Sequence, residues 1–261
     1  MDISTLIDKK RNGERIVVLT AYDHPTARLL DEAGIDVILV GDSVANVVLG
    51  LKSTTEVGMA VMLHHAGAVV RGVKNALIVA DMPFDAYQLP GAEAVGNARQ
   101  FLNIGCHAVK VEWFGGCVEV VKALKAAGIP VMGHVGLTPQ TAAELGGFKV
   151  QGRDPAAAAR ILEQSRMLEA AGCFSMVLEC VPGSLAKEIT AALKVPTIGI
   201  GAGVDCDGQV LVINDLLGLY GASPRFAKQY ADLGALIRKA AGEYKKDVQN
   251  GVFPASEHTF H

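Results

Sequence analysis

The chain of 261 residues is poor in aromatic side chains, in net charge and in long apolar runs. Aromatic residues make up 5% of it, with a single tryptophan, and the formal net charge is −3. Nucleic acids and anionic membrane surfaces are bound through a basic surplus, which this chain lacks. Apolar runs such as 37–40 and 198–200 are far shorter than the roughly 20 residues that span a bilayer. The composition therefore predicts neither a nucleic-acid nor a membrane partner.

Cysteine pairs and targeting features are also scarce. The five cysteines are an odd number without a CxxC pair, which excludes a disulfide framework and a thiolate zinc site. They are Cys106, Cys117, Cys173, Cys180 and Cys206. Residues 1–20 carry early acidic residues and no uninterrupted apolar segment, so we expect no secretory signal peptide. A reducing, cytoplasmic setting is the expectation.

What the chain does contain is a series of eight short, nearly continuous apolar runs. Such runs are typical of strands buried on both faces of a parallel sheet. The predicted strands are 16–23, 37–43, 77–83, 108–114, 131–137, 176–182, 197–203 and 210–218.

Segments with helical spacing separate most of these runs. The predicted helices are Pro25–Ala33, Thr55–Gly72, Ala92–Gly105, Val118–Ala127, Pro155–Ala171 and Ser184–Leu193, with one or two more after Gly218. Four glycines close to helix ends suit left-handed caps, namely Gly34, Gly105, Gly128 and Gly172.

Eight strands with alternating helices predict a (β/α)₈ barrel. The mean repeat of about 27 residues fits that architecture. The connection between the seventh and eighth strands is too short for a full helix. A doubly wound open sheet requires a GxGxxG turn after the first strand, whereas the chain has TAYDHPTA there. We therefore predict one barrel domain over residues 1–261, with 221–261 as a helical C-terminal extension.

Ionisable side chains gather at the predicted carboxyl ends of five neighbouring strands, where barrel enzymes place their active sites. They are Asp42, Asp81, Lys110, Glu112, His134 and Glu179. Three carboxylates in one cleft need a neutralising charge. Oxygen ligands without histidine or cysteine favour Mg²⁺ or Mn²⁺ over zinc. Taken singly, each acid could instead bind the backbone of a neighbouring loop.

Lys110 and Glu112 lie two residues apart on one strand and so share a face, either the barrel interior or the helix layer. In the interior, Lys110 would be a cation for an anionic substrate or a Schiff-base amine. Glu179 follows an apolar run, where desolvation suits a general base, although a salt bridge with an arginine is the alternative. His134 would orient substrate or bind a loop.

Two weaker patterns stand apart from these strand ends. The loop GIGAGVDCDGQ (199–209) is similar to a phosphate-binding loop but lacks the GK[ST] signature, so its glycines could instead serve tight packing. His64 and His65 are adjacent on a predicted helix and face in different directions, which makes them a poor metal pair.

Seven motifs in chain order resemble the ketopantoate hydroxymethyltransferase family, also called 3-methyl-2-oxobutanoate hydroxymethyltransferases. They are VGDS (40–43), TTEVGMAVMLHHAGAV (54–69), VADMPF (79–84), VKVEW (109–113), PVMGHVGLTPQ (130–140), VLECVP (177–182) and PTIGIGAGVDCDGQVLV (196–212). The resemblance runs almost from end to end, to the terminal EHTFH.

This resemblance implies a barrel enzyme that transfers a hydroxymethyl group from 5,10-methylenetetrahydrofolate to 3-methyl-2-oxobutanoate in pantothenate biosynthesis. It implies a Mg²⁺ site at Asp42, Asp81 and Glu112, directly or through water. It places the oxo acid against Asp42, Ser43, Asp81 and Lys110, with His134 nearby. It makes Glu179 the proton acceptor. It also implies a homo-oligomer, commonly a decamer.

Two other functions are weighed against this one. A Mg²⁺-dependent carbon–carbon lyase of the phosphoenolpyruvate mutase and isocitrate lyase kind would use the same barrel, but its catalytic Lys-Cys-Gly-His type loop is absent from the sequence. A non-catalytic, metabolite-binding barrel would carry degraded site residues, and no motif position is degraded.

Overall fold

A computed structural model describes residues 1–88, 90–221 and 223–260. Its parallel strands are β1 (Ile16–Thr20), β2 (Val37–Val40), β3 (Leu77–Asp81), β4 (Ala108–Glu112), β5 (Val131–Gly136), β6 (Ser175–Glu179), β7 (Thr197–Ile200) and β8 (Gly208–Leu211). Each strand pairs with the next along the chain, and β8 pairs with β1 to close the barrel. The predicted (β/α)₈ barrel is confirmed.

The helices of the described residues follow the strands in the expected alternation. They are α1 (Ile3–Asn12), α2 (His24–Glu32), α3 (Val44–Val47), α4 (Met59–Gly72), α5 (Phe84–Tyr87), α6 (Gly91–Asn103), α7 (Cys117–Ala126), α8 (Pro155–Ala171), α9 (Gly183–Ala192), α10 (Ile213–Leu216) and α11 (Leu233–Gln249). Short 3-10 turns occur at Thr54–Glu56, Pro139–Thr141 and Ser256–His258. Within the described ranges, none of these helices combines the length and the apolar character that crossing a membrane requires.

The predicted helix ends are confirmed where glycine was expected to end them. Gly34, Gly105, Gly128 and Gly172 all have positive φ angles, of 79°, 109°, 74° and 116°. A residue without Cβ adopts this conformation at little cost. No helix separates β7 from β8 in the described residues, as the short connection predicts.

Two predicted boundaries are wrong by four or more residues, and the other predicted strands end one to three residues too late. The eighth strand was expected at 210–218, but β8 ends at Leu211, and Ile213–Leu216 form the helical turn α10. The polar pair Asn214–Asp215 suits such a turn, in which Leu217 N donates to Ile213 O at 2.9 Å. The helix expected from Thr55 begins at Met59, because Gly58 interrupts it after a 3-10 turn capped by Ser53 and Glu56.

Helix α1 was not predicted, although its caps are readable in the sequence. Asp2 accepts from Thr5 N, and Gly13 ends the helix with φ 71°. Leu6 of this helix belongs to the core cluster that also contains the inward-facing side chains Ile16, Val37 and Leu77.

The chain forms two compact units, Met1–Val212 and Ile213–His261. The first contains the barrel and α1–α9, and the second contains α10, α11 and the last 3-10 turn. The single catalytic domain over 1–261 stays a prediction. The segment 221–261 contains one α-helix, α11, in its described residues.

Candidate active site

Strand alternation determines which side chains face the barrel interior. Leu77 and Val79 of β3 belong to the interior cluster, so Asp81, two residues further on, shares their face. Ala108 begins the same series on β4, which continues with Lys110 and Glu112. Lys110 and Glu112 therefore both face the barrel interior and not the helix layer.

The neighbouring strands follow the same rule. Met132 of β5 and Val177 of β6 are in the interior cluster, and each is followed two residues later by a polar side chain, His134 and Glu179. Register pairs Asp81 with Lys110 and Glu112 with His134 across adjacent strands. Polar groups thus form a continuous layer above the apolar filling of the barrel.

Lys110 is the central cation of this layer. Its Nζ lies 3.1 Å from Asp81 Oδ1, 3.7 Å from Glu112 Oε1 and 3.3 Å from His134 Nδ1, and the residue is 4% exposed. Burial alone would lower the pKa of Lys110, but the surrounding carboxylates raise it above its ordinary value. A protonated amine cannot attack a carbonyl, so this environment favours the cationic role over a Schiff base.

Asp42 and Asp81 form a buried acidic pair. Asp42 N donates to Asp81 Oδ2 at 3.0 Å, which brings the end of β2 against the end of β3. Burial raises the pKa of both carboxyl groups, and the charge of Asp81 raises that of Asp42 further. A cation bound between these groups would remove the repulsion.

His134 connects two further carboxylates. Its Nδ1 lies 3.4 Å from Glu112 Oε1, and its Nε2 lies 3.3 Å from Glu179 Oε2 but without hydrogen-bond alignment. Burial and Lys110 oppose protonation, yet the carboxylates outweigh them and raise the pKa of His134 to about 9. The described side-chain contacts of His134 are thus with charged side chains of the site, rather than with a loop.

Glu179 is the more accessible carboxylate of the layer. Its side chain is 14% exposed, compared with 2% for Glu112. Among the described residues its ion-pair partner is His134 rather than an arginine. Its main-chain oxygen accepts from Leu137 N at 2.9 Å. A small molecule above the layer can therefore reach Glu179 without displacing a salt bridge to arginine.

Ser43 lies beside this layer, directly before α3. Its Oγ is 2.8 Å from the hydroxyl of Tyr22, which follows β1. Burial raises the pKa of Tyr22, so the phenol stays neutral. This hydrogen bond orients the Ser43 hydroxyl from the neighbouring strand end.

The carboxylates fit a divalent cation in part. In the described ranges, no group of three or more His, Cys, Asp or Glu side chains is gathered in a form that could hold a metal ion. Asp81 Oδ1, however, is buried without a hydrogen-bond partner, although Lys110 is close. Mg²⁺ is typically held by one or two carboxylates with several waters. Asp42 and Asp81 suit that pattern.

Glu112 is bound differently. Its Oε2 accepts from Gln140 N at 3.0 Å, and its Oε1 faces Lys110 and His134. Both oxygens already have protein partners, which suits a contact with a cation through water. Glu112 as a metal residue stays a prediction.

A family model described as ketopantoate hydroxymethyltransferase matches residues 1–256. The chain belongs to this family. Members of the family are enzymes, and the chain is accordingly a transferase. The resemblance noted in the sequence motifs is confirmed.

Curated relatives match nearly the whole length of this chain. A 3-methyl-2-oxobutanoate hydroxymethyltransferase of Heliobacterium modesticaldum is 55% identical over 255 residues, which is 97% of this chain and 92% of the relative. One of Syntrophus aciditrophicus is 54% identical over 259 residues, or 98% and 95%.

Solved structures share the barrel. Phosphoenolpyruvate phosphomutase from Streptomyces platensis subsp. rosaceus superposes with a TM-score of 0.64 at 16% identity, covering 96% of this chain and 88% of that one. At this identity the likeness shows the fold alone.

Two glycines of the glycine-rich segment 199–209 lie in tightly packed places. A Cβ on Gly199 would lie 2.9 Å from Cys206 Sγ, and one on Gly208 would lie 2.4 Å from Ile16 O. Close approach of neighbouring chain segments therefore accounts for these two glycines.

Among the side chains that contact the site, sequence reasoning missed Tyr22 and Gln140. Tyr22 lies in TAYD, directly after β1, and Gln140 lies in GLTPQ, directly after β5. Position after a strand end is a signal that both carry, although neither side chain is ionised at neutral pH.

Proposed function

We propose that this chain transfers a hydroxymethyl group from 5,10-methylenetetrahydrofolate to 3-methyl-2-oxobutanoate, giving 2-dehydropantoate for pantothenate synthesis. A carbon–carbon bond forms at C3 of the oxo acid. Both bonds from the methylene carbon to folate, at N5 and N10, break, and water supplies the hydroxyl oxygen. The two folate nitrogens take up the proton lost from C3 and one proton of that water. The supporting observations are the family match over 1–256 and one arrangement, in which His134 lies between the accessible Glu179 and the buried cation Lys110.

In this proposal each side chain of the site has its own role in the reaction. Lys110 and Ser43 hold the substrate carboxylate, so that the C3–H bond faces Glu179. Glu179 accepts the C3 proton, and C3 then attacks the methylene carbon. His134, between Glu112 and Glu179, keeps the base in place. Asp42 and Asp81 are the residues that would hold Mg²⁺, with Glu112 through water.

Bound Mg²⁺ would supply Lewis-acid stabilisation of the negative charge that develops on the oxo acid. A cytoplasmic location and a homo-oligomer stay predictions.

The proton-abstraction step is tested by Glu179→Gln. Exchange of the C3 proton of 3-methyl-2-oxobutanoate with deuterium, followed by NMR, should fall at least about a hundredfold, within the range that acid–base residues contribute. Mg²⁺ binding by calorimetry should change little. Glu188→Gln, on the exposed face of α9, is the matched control. Undiminished exchange in Glu179→Gln would remove Glu179 from the role.

The reaction itself is tested by incubating the protein with the oxo acid, the folate donor and Mg²⁺ and detecting 2-dehydropantoate by mass. Cleavage of a carbon–carbon bond without folate would favour the lyase. Binding of the oxo acid without turnover would favour a non-catalytic barrel.

A further inference from the structure

The loop after β5 carries a buried glutamine that the steps above do not use. Gln140 lies in the 3-10 turn Pro139–Thr141 and is 6% exposed. Burying a primary amide is costly unless its hydrogen-bonding groups are satisfied. The partners of Gln140 therefore indicate its purpose.

Three of those partners lie at neighbouring strand ends, and the fourth, Tyr87, ends helix α5. Gln140 Nε2 donates to Asp42 Oδ2 at 2.8 Å and to Met82 O at 3.0 Å. Its main-chain N donates to Glu112 Oε2 at 3.0 Å. The hydroxyl of Tyr87 donates to Gln140 Oε1. One residue thus bridges the carboxylates of Asp42 and Glu112.

The orientation of the amide follows from these partners. The Met82 carbonyl can only accept, so the side of the amide that faces it must be the NH₂ group. Tyr87 can donate, which suits the carbonyl oxygen on the other side. A flipped amide would set Oε1 against the Met82 carbonyl, which has no proton to donate. Tyr87 therefore keeps the two N–H donors directed at Met82 and Asp42.

We propose that Gln140 is a positioning residue for a divalent cation, holding Asp42 through its side chain and Glu112 through its main chain, with Tyr87 setting the amide. This inference rests on the metal site of the proposed function. Asp42 Oδ2 is fixed by a neutral donor, which orients the carboxylate without neutralising it. An ammonium group in that place would compete with the cation.

Gln140→Met tests this role, because methionine has similar length and shape but no donor. The measurement is Mn²⁺ binding to the folded protein by electron paramagnetic resonance, without substrate. Loss of such an outer-sphere partner typically weakens metal binding by about 10- to 100-fold, and we expect that range. Gln100→Leu, on the exposed side of α6, should bind Mn²⁺ as the wild type does.

A second readout separates positioning from general structural damage. If Gln140 acts through metal affinity, raising Mg²⁺ about 100-fold should return the kcat of Gln140→Met to within about threefold of the wild type, in proportion to the lost affinity. Tyr87→Phe retains both N–H donors of the Gln140 amide but removes the hydroxyl that donates to Gln140 Oε1. Its Mn²⁺ affinity should therefore fall less, by about 3- to 10-fold.

The outcomes separate this inference from the proposed function. Wild-type Mn²⁺ affinity in folded Gln140→Met overturns the inference even if the wild type makes product. Weakened Mn²⁺ binding in folded Gln140→Met supports it, even if no 2-dehydropantoate forms. Where product does form, a kcat that added Mg²⁺ fails to restore overturns it. If Gln140→Met does not fold, Tyr87→Phe decides, and an unchanged Mn²⁺ affinity there overturns the inference. A wild type that binds no Mn²⁺ also overturns it.

Discussion

Gly136, at the end of β5, packs closely against the backbone of Glu179, the proposed base. It has φ 94°, and an added Cβ would lie 2.4 Å from Glu179 O and 2.8 Å from Val181 Cγ1. The same carbonyl accepts from Leu137 N at 2.9 Å. We therefore predict that Gly136→Ala displaces Glu179 as well as destabilising the barrel.

The expected magnitude has two parts. A side chain at this positive φ costs about 1–2 kcal/mol. The added methyl group also overpacks against main-chain atoms, which cannot move aside as a flexible side chain does. This overpacking costs about 1–3 kcal/mol more. Their sum is about 2–5 kcal/mol in the free energy of unfolding. A displacement of Glu179 by about 1 Å should slow C3 proton exchange about a hundredfold.

Gly128→Ala is the matched control for this substitution. Gly128 has φ 74°, but no atom lies within 4 Å of an added Cβ. Its cost should be confined to the backbone part, about 1–2 kcal/mol, with normal exchange. Denaturant unfolding and NMR-detected exchange measure both variants. Equal stability losses and equal exchange rates in the two would refute the reasoning.

Two further substitutions test supporting contacts. Asp31 accepts from the main-chain N–H groups of 74–76, so Asp31→Ala should lower the free energy of unfolding by about 3 kcal/mol. Burial opposes the charge, but these donors hold the pKa of Asp31 below its ordinary value. The stabilisation by Asp31 should therefore be complete above the ordinary pKa of an aspartate and be lost as the pH falls through the lower pKa of the folded state. Denaturation at several pH values measures this. Tyr22→Phe removes the hydroxyl beside Ser43 and should raise the KM for the oxo acid about fivefold, about 1 kcal/mol. An unchanged KM would contradict that role for Tyr22.

Local sequence accounts for most of the barrel. Each apolar run needs burial on two faces, and most runs were predicted close to their observed places because that need is written into consecutive residues. The eighth run misled, since apolar content alone does not distinguish a short strand from the helical turn Ile213–Leu216 that follows it.

The polar residues at strand ends were also readable from the sequence, because alternation along one strand sets Lys110 and Glu112 on a common face. Which face that is depends on closure of the barrel. Only when β8 pairs with β1 does one face become an interior, filled by Val18, Val37 and Val210 beneath the site.

The sequence by itself therefore determined the strands, their order and the acids and bases at their ends. Tertiary structure decided which of these groups touch. Asp42 and Gln140 are 98 residues apart in the chain, yet their side chains form a 2.8 Å hydrogen bond. Such a contact depends on the tilt and register of strands brought together by closure, and no local pattern of residues encodes that geometry.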